Sequence, residues 1–195
     1  MIRLFTALCK SMLEKLSDEA IFQKATDGFN YHNERCPDCG AAGKLSPYGD
    51  YDRNLVSHDG EKVIESRINP LRFECVSCGT THALLPDILI PYSPYSLRFM
   101  LNVLVAHFER SMTVATLCSH YGIAVSTLYA WKHRLLEHKD LLLGMLANLK
   151  EPVQVFLRDL LASIRLSEQL SDFFRHYNFS FLQNRSTAAT RSKPP

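Results

Sequence analysis

Two short stretches decide how this chain is read: Cys36-Pro37-Asp38-Cys39-Gly40 and Cys75-Val76-Ser77-Cys78-Gly79. Two residues between cysteines let both sulfurs turn toward a single ion. The glycine that follows each pair accepts the left-handed backbone needed to close the loop. Two such knuckles offer four sulfurs in a tetrahedral array, the arrangement Zn²⁺ prefers. Thirty-five residues separate the knuckles, enough for a β-hairpin. The reading is a zinc ribbon over residues 29–92, with Cys36, Cys39, Cys75 and Cys78 as ligands of one structural Zn²⁺. A shell filled by four thiolates leaves no position for a reacting water, so the site points to structure rather than hydrolysis. His82, four residues past Cys78, reads as an ordinary hydrogen-bonded histidine and not as a substitute ligand.

Other chemistries use similar pairs. Rubredoxin-like iron proteins also present Cys-x-x-Cys-Gly, so an iron redox protein is an alternative. A thiol oxidoreductase fits less well, because Cys-Pro-Asp-Cys does not open a helix after a strand. Cys9 and Cys118, the remaining two of six cysteines, stand alone in apolar, helix-like sequence. This pattern suits a reducing cytoplasm better than an extracellular disulfide framework.

Between the knuckles, Asp59-Gly60 separates two candidate strands, Tyr48 to Val56 and Glu61 to Ile68. That dipeptide tolerates the positive φ of tight hairpin turns. An irregular loop pinned by the metal is the competing reading. Upstream, residues 1–28 read as an N-terminal helical segment: Leu4, Leu8, Met12, Leu13 and Leu16 recur near helical spacing, and Ser17 is placed to cap a second helix holding Ile21 and Phe22. Downstream, Pro86, Pro91 and Pro94 mark a stiff connection, and Ser93-Pro94 reads as a helix start. Leu97, Leu101, Leu104 and Phe108 then form one apolar stripe.

The second informative stretch is Thr113 to Leu135, TVATLCSHYGIAVSTLYAWKHRL. Leu117, Cys118, Tyr121 and Ile123 give a first helix and its turn an apolar side. Gly122 sits where the chain must reverse, and Leu128, Trp131 and Leu135 give a second helix a buried face. This spacing resembles the helix-turn-helix of DNA-binding proteins, here assigned to residues 93–139. Cys118 takes the place of the small residue that lets the two helices approach. A recognition helix would present Ser126, Thr127, Tyr129, Ala130 and His133 outward, with Lys132 and Arg134 near phosphates. The helical pattern starts at about Val125; Ala124 stands where Ser or Thr usually caps that helix, which leaves a later start at Ser126 as the alternative. A helical hairpin that packs and reads nothing is the plain alternative. Beyond it, residues 140–182 read as C-terminal helices, Leu141 to Lys150 and Pro152 to about His176. Residues 183–195 read as a disordered basic tail. The expected fold is α+β and mostly α: a zinc-ribbon β-hairpin module followed by a helical helix-turn-helix domain.

Composition sets the outer limits. The chain has 195 residues, 46% hydrophobic and 22% charged, with a net charge of +2, which fits one ordinary domain or two small ones. No apolar run approaches the ~18 residues of a spanning helix, and Lys10 interrupts the N-terminal apolar run before a secretory core forms. A cytoplasmic protein without a membrane partner is therefore expected. Charge is uneven: residues 29–82 carry eight acids against six bases, while the tail from Gln183 carries Arg185, Arg191 and Lys193 and no acid. Electrostatic hold on phosphate is accordingly expected in the C-terminal half.

With these motifs in hand, the chain resembles an uncharacterised bacterial zinc-ribbon and helix-turn-helix family encoded beside transposases or integrases of mobile elements. The resemblance rests on Cys36-Pro37-x-Cys39-Gly40, Tyr48-Gly49-x-Tyr51-x-Arg53, Cys75-x-x-Cys78, Thr81-His82-Ala83-Leu84-Leu85-Pro86 and Pro91-Tyr92-Ser93, and extends to Phe179-x-Phe181-Leu182-Gln183. It implies a DNA-binding role beside a transposase or integrase and supplies no catalytic residues. A transposase core needs three carboxylates on a ribonuclease-H-like sheet; after residue 93 the pattern is helical and its acids fall on solvated faces. The expectation is thus a non-enzymatic, zinc-containing protein that binds double-stranded DNA, with a homodimer on paired half-sites in reach. A ribbon that recruits a recombinase as a protein-interaction module is the second class.

Overall fold

The computed structural model describes residues 1–5, 15–59, 62–145, 152–163 and 165–184. Its strands are β1 (Ile2–Leu4), β2 (Leu45–Asp50), β3 (Arg53–Asp59), β4 (Lys62–Ile68), β5 (Leu71–Cys75) and β6 (Thr81–Pro86). Its helices are α1 (Asp18–Asp27), α2 (Leu97–Phe108), α3 (Val114–Tyr121), α4 (Val125–Met145), α5 (Val153–Ala162) and α6 (Leu166–Tyr177). The chain is mixed α and β, and no described helix is long and apolar enough to cross a membrane.

The strands form two sheets. One has the order β1-β6-β5-β2, the other pairs β3 with β4. The second is the hairpin expected around Asp59-Gly60, with Asp59 opposite Lys62 and Arg53 opposite Ile68. The strand read as Tyr48 to Val56 is two strands, divided at Tyr51-Asp52 and serving different sheets. β2 runs antiparallel to β5, with Leu45 opposite Cys75, and a bulge lies between Pro47 and Gly49. Alternation of residues reports that a segment is extended, but not which distant strand it will meet.

The same limit explains the N-terminus. Ile2–Leu4 is not helical; it pairs parallel to β6, Ile2 with Leu84 and Leu4 with Pro86. The residue set that suggested helical spacing mixes this strand with Leu8, Met12 and Leu13, which lie outside the described residues, as does Cys9. Ser17 caps α1 as expected, its hydroxyl accepting from the Ala20 N–H at 3.1 Å.

Two clusters of buried side chains organise the molecule. Ile2, Leu45, Phe73 and Leu84 pack with Cys36 and Cys75 inside the first sheet. A much larger cluster joins Ile21 and Phe22 of α1, Leu55 and Ile68 of the hairpin, Leu85 to Ile90, and the buried faces of all the later helices. At its centre is α2, where Leu97, Phe99, Met100, Leu101, Val103 and Leu104 are all buried. The hairpin and the helices therefore share one core. Asp18, wholly buried, reaches the Arg98 guanidinium at 2.8 Å and ties α1 to α2.

Helix boundaries moved at three places. α2 starts at Leu97 because Ser96 is its cap, accepting from the Phe99 N–H at 3.1 Å. Ser93-Pro94 is drawn into extended structure instead: Val56 N–H donates to Pro94 O and Ser96 N–H to Val56 O. α4 begins at Val125, the earlier of the two starts read from the sequence, and runs unbroken to Met145 through the expected boundary at 139–140. The long helix expected from Pro152 divides into α5 and α6, with the chain leaving helical geometry at Ser163. Finally, Gln183 is buried and its side-chain oxygen accepts from the Ser180 N–H at 2.8 Å, so it is part of the fold and not of the tail. Residues 185–195 lie outside the described residues.

Candidate metal centre and helical face

Each knuckle repeats the same local hydrogen bonds. Gly40 N–H donates to Cys36 O at 2.9 Å and Gly79 N–H to Cys75 O at 2.7 Å. Cys36 N–H donates to Ala41 O at 3.0 Å and Cys75 N–H to Thr80 O at 2.9 Å. Gly40 and Gly79 have φ of 73° and 72°, a conformation costly for any residue with a Cβ. The first knuckle follows a 3₁₀ turn at Tyr31–Asn33, and the second links β5 to β6. Val76 N–H donates to Lys44 O at 2.9 Å, which draws the start of β2 toward the second knuckle.

The four sulfurs converge. Cys36 Sγ lies 3.7 Å from Cys78 Sγ, and Cys39 Sγ 3.7 Å from Cys75 Sγ. All four lie within 4.8 Å of one another. A disulfide would need about 2.0 Å. A metal–sulfur bond of about 2.3 Å instead sets the edge of a tetrahedron at about 3.8 Å. Spacing of this kind suits one ion bound between the pairs. Cys36 and Cys75 are buried while Cys39 and Cys78 face solvent, so the site sits at the rim of the sheet.

Electrostatics point the same way. The hydroxyl and backbone N–H of Thr80 draw the Cys78 thiol down to about 6. The backbone N–H of Ala41 also pulls on Cys39, but desolvation and hydrogen bonds with Cys36, Cys78 and Cys75 outweigh it, leaving that thiol at about 12. Adjacent sulfurs thus ionise at one another's expense. A cation between them removes the conflict, since it lets all four carry charge.

His82 is hydrogen-bonded through both ring nitrogens, as expected, and one of its partners is a sulfur of the cluster. Its Nε2 is 3.2 Å from Cys36 Sγ and its Nδ1 is 3.0 Å from the Met1 amino group. An Nδ1 that accepts from the amine leaves Nε2–H to donate to sulfur, the outer support typical of thiolate sites. No local pattern marks the Met1 amine as a partner of His82, nor Thr80, whose hydroxyl sits 3.4 Å from Cys78 Sγ.

The helical half places its residues as follows. Thr113 caps α3, accepting from the Thr116 N–H at 3.2 Å. Gly122 adopts φ 62° and ψ 33° and closes the helix, with Ile123 N–H donating to Cys118 O at 3.0 Å. Leu117, Cys118, Ile123, Leu128, Trp131 and Leu135 are buried. Ser126, Tyr129 and His133 are exposed on α4; Thr127, Ala130, Lys132 and Arg134 are half-buried. Lys132 Nζ stands 5.7 Å from the Tyr129 ring centre and 5.8 Å from that of Phe108. His107 on α2 meets Tyr129 edge-on at 6.2 Å, and burial followed by the charge of Lys132 pushes its pKa down. Burial also lowers that of Arg134. His107 and Phe108 extend the surface beyond the residues expected; their membership depends on how α2 crosses α4, which no local pattern encodes.

Residues 36–131 match the family model described as a domain of unknown function, DUF6431. The match opens on the first cysteine of the sulfur cluster and closes on Trp131, at the buried face of α4. No curated protein and no solved structure gave a match.

Proposed function

We propose that this chain is a non-enzymatic, zinc-containing protein that binds double-stranded DNA as an accessory or regulatory component of a transposable element, in the cytoplasm and beside a transposase or integrase. The observation that carries the reading is the division of α4. Leu128, Trp131 and Leu135 anchor it in the core, while Ser126, Tyr129 and His133 stand exposed on the helix that follows the left-handed turn at Gly122. A helix so mounted can enter a major groove with its N-terminal side chains toward base edges. Between Thr113 and Arg134 the chain contains no Asp or Glu, so nothing acidic on this segment opposes phosphate.

The donor set supports Zn²⁺: four soft sulfurs, tetrahedral spacing and no position left for substrate. Bound there, the ion would stabilise the ribbon and activate nothing. Cys36 and Cys39 would hold it from one knuckle, Cys75 and Cys78 from the other, with His82 and Thr80 hydrogen-bonded to the sulfurs. Iron in the same tetrahedron would make a redox protein; a colourless preparation with one zinc per chain supports our reading, and visible charge-transfer absorption overturns it.

The direct test is binding of duplex DNA by the metal-loaded chain over a salt series. We expect affinity to fall linearly on a log–log plot as salt rises. Tyr129→Ala with His133→Ala should weaken a selected site by at least about tenfold. Absence of salt-dependent binding, or a double variant that binds like the parent, refutes the assignment. The ribbon's eight acids against six bases favour a second reading, recruitment of a recombinase through that surface, and such recruitment would survive in the Tyr129→Ala, His133→Ala variant.

A further inference from the structure

A cleft of about 910 Å³ opens beside the sulfur cluster, between the first sheet and the loop at residues 91–94. Tyr51, Arg53, Arg72, Thr81 and Tyr92 line it, with Asp38 its only acid. Apart from Arg72 on β5 and Asp38 in the first knuckle, these residues fall within the Tyr48-to-Arg53, Thr81-His82 and Pro91-Tyr92-Ser93 segments, for which the helix-turn-helix has no use.

The two arginines have different tasks. Arg53 donates through Nη2 to Ile90 O at 2.6 Å and to Ser93 O at 2.7 Å, and so fixes the loop that carries Tyr92. Tyr92 is 53% exposed and holds φ 60°, a strained backbone for an aromatic residue and one that persists where the surroundings enforce it. Arg72 lies over the Tyr48 ring at 5.3 Å and donates to Thr81 Oγ1 at 2.8 Å. Tyr48 occupies the bulge between Pro47 and Gly49 and is 56% exposed. Among the described residues no carboxylate forms an ion pair with Arg72 or Arg53. Of the module's other acids, Asp50, Asp59 and Glu65 sit on β2, β3 and β4 outside the cleft, Glu74 lies two residues along β5 from Arg72 and does not line the cleft, and Asp52 is engaged by Asn69 at 3.0 Å. Net charge over residues 29–82 therefore hides a local basic, aromatic channel.

We propose that this cleft binds a single strand of nucleic acid, with Arg72 on a phosphate and the exposed tyrosines stacking unpaired bases. A guanidinium with unused donors recognises phosphate oxygens bidentately. Aromatic rings beside it stack bases of any sequence. The volume exceeds that of one nucleotide and suits two or three, near the upper end for a binding cleft. The inference does not rest on the helix-turn-helix, since it uses a different face and different chemistry.

The test is fluorescence anisotropy of a labelled oligothymidylate of about twelve nucleotides, added to the full metal-loaded chain. We expect salt-sensitive binding that Arg72→Gln and Tyr92→Ala each weaken by about tenfold, while the Tyr129→Ala, His133→Ala variant binds the strand unchanged. Metal content and circular dichroism verify that each variant is folded; Tyr92 is exposed, so its truncation keeps the test valid if Arg72→Gln unfolds. No binding of the strand, or full binding by folded Tyr92→Ala, overturns the proposal. Loss of duplex binding alone would sink the helix-turn-helix reading and leave this one standing, and loss of strand binding alone would do the reverse.

Discussion

Replacing Trp131 by Ala tests whether the half that holds the sulfur cluster and the helical half are mechanically one unit. Trp131, the only tryptophan in the chain, is 3% exposed on α4. Its ring meets Tyr95 edge-on at 4.8 Å and Phe99 at 6.2 Å. Tyr95 belongs to the segment bridged to Val56 of β3, while Phe99 belongs to α2, so the indole joins three elements. A buried indole removes about 200 Å² from water, which at ~25 cal/mol/Å² is about 5 kcal/mol. Truncations of large aromatic residues in cores cost about 3–5 kcal/mol. We expect the unfolding free energy to fall by about 4 kcal/mol, or the melting temperature by about 10 °C for a chain of this size. The assay is urea unfolding of the metal-loaded protein, followed by circular dichroism. A cycle with Tyr95→Leu isolates the contact across the two halves, with a coupling of about 1 kcal/mol expected. A loss below about 1 kcal/mol, or zero coupling with Tyr95, would refute the shared core.

Three further outcomes follow from the same geometry. Cys39→Ser or Cys78→Ser should abolish stoichiometric metal binding and the ~10 kcal/mol that a structural zinc contributes to small modules. Amide exchange should then rise in β2, β5 and β6 well before α2; a variant that keeps its metal contradicts the ligand assignment. Gly122→Ala places a Cβ in open space but at φ 62°, so it should cost only about 1 kcal/mol, the strain of a left-handed residue; a larger loss would mean that the turn is crowded. Stability should decline as pH falls below 6.5. Burial, then the charge of Arg98, lowers the pKa of His58, and its Nε2 accepts from the Asn102 side chain. The unfolded chain therefore takes up that proton first; the contribution is complete above 6.5 and is lost as pH falls through the folded value. His58→Gln should flatten the acid limb of a pH series of urea midpoints, and an unaltered limb contradicts the linkage.

What was legible in the sequence is what is local. A Cys-x-x-Cys-Gly knuckle closes within five residues, so Cys36 to Gly40 and Cys75 to Gly79 announce their geometry directly. The same is true of Gly122 after α3 and of the three-and-four spacing of Leu128, Trp131 and Leu135. What failed is non-local. Ile2–Leu4 looks like the edge of a helix until Leu84 supplies a parallel partner eighty residues away. Tyr48 to Val56 looks like one strand until β5 and β4 divide it. Ser93-Pro94 is a reasonable helix start whose carbonyls Arg53 and Val56 happen to claim. Module-wide charge describes no single face for a related reason, because register and not composition decides which acids lie near Arg72.

The most direct measurement is hydrogen exchange of the metal-loaded chain with and without a selected DNA duplex. We expect protection on the first turns of α4, from Val125 through His133, and in the turn at Gly122, with the knuckle amides unchanged. Protection confined to other segments, or none at saturating duplex, would contradict the duplex-binding reading.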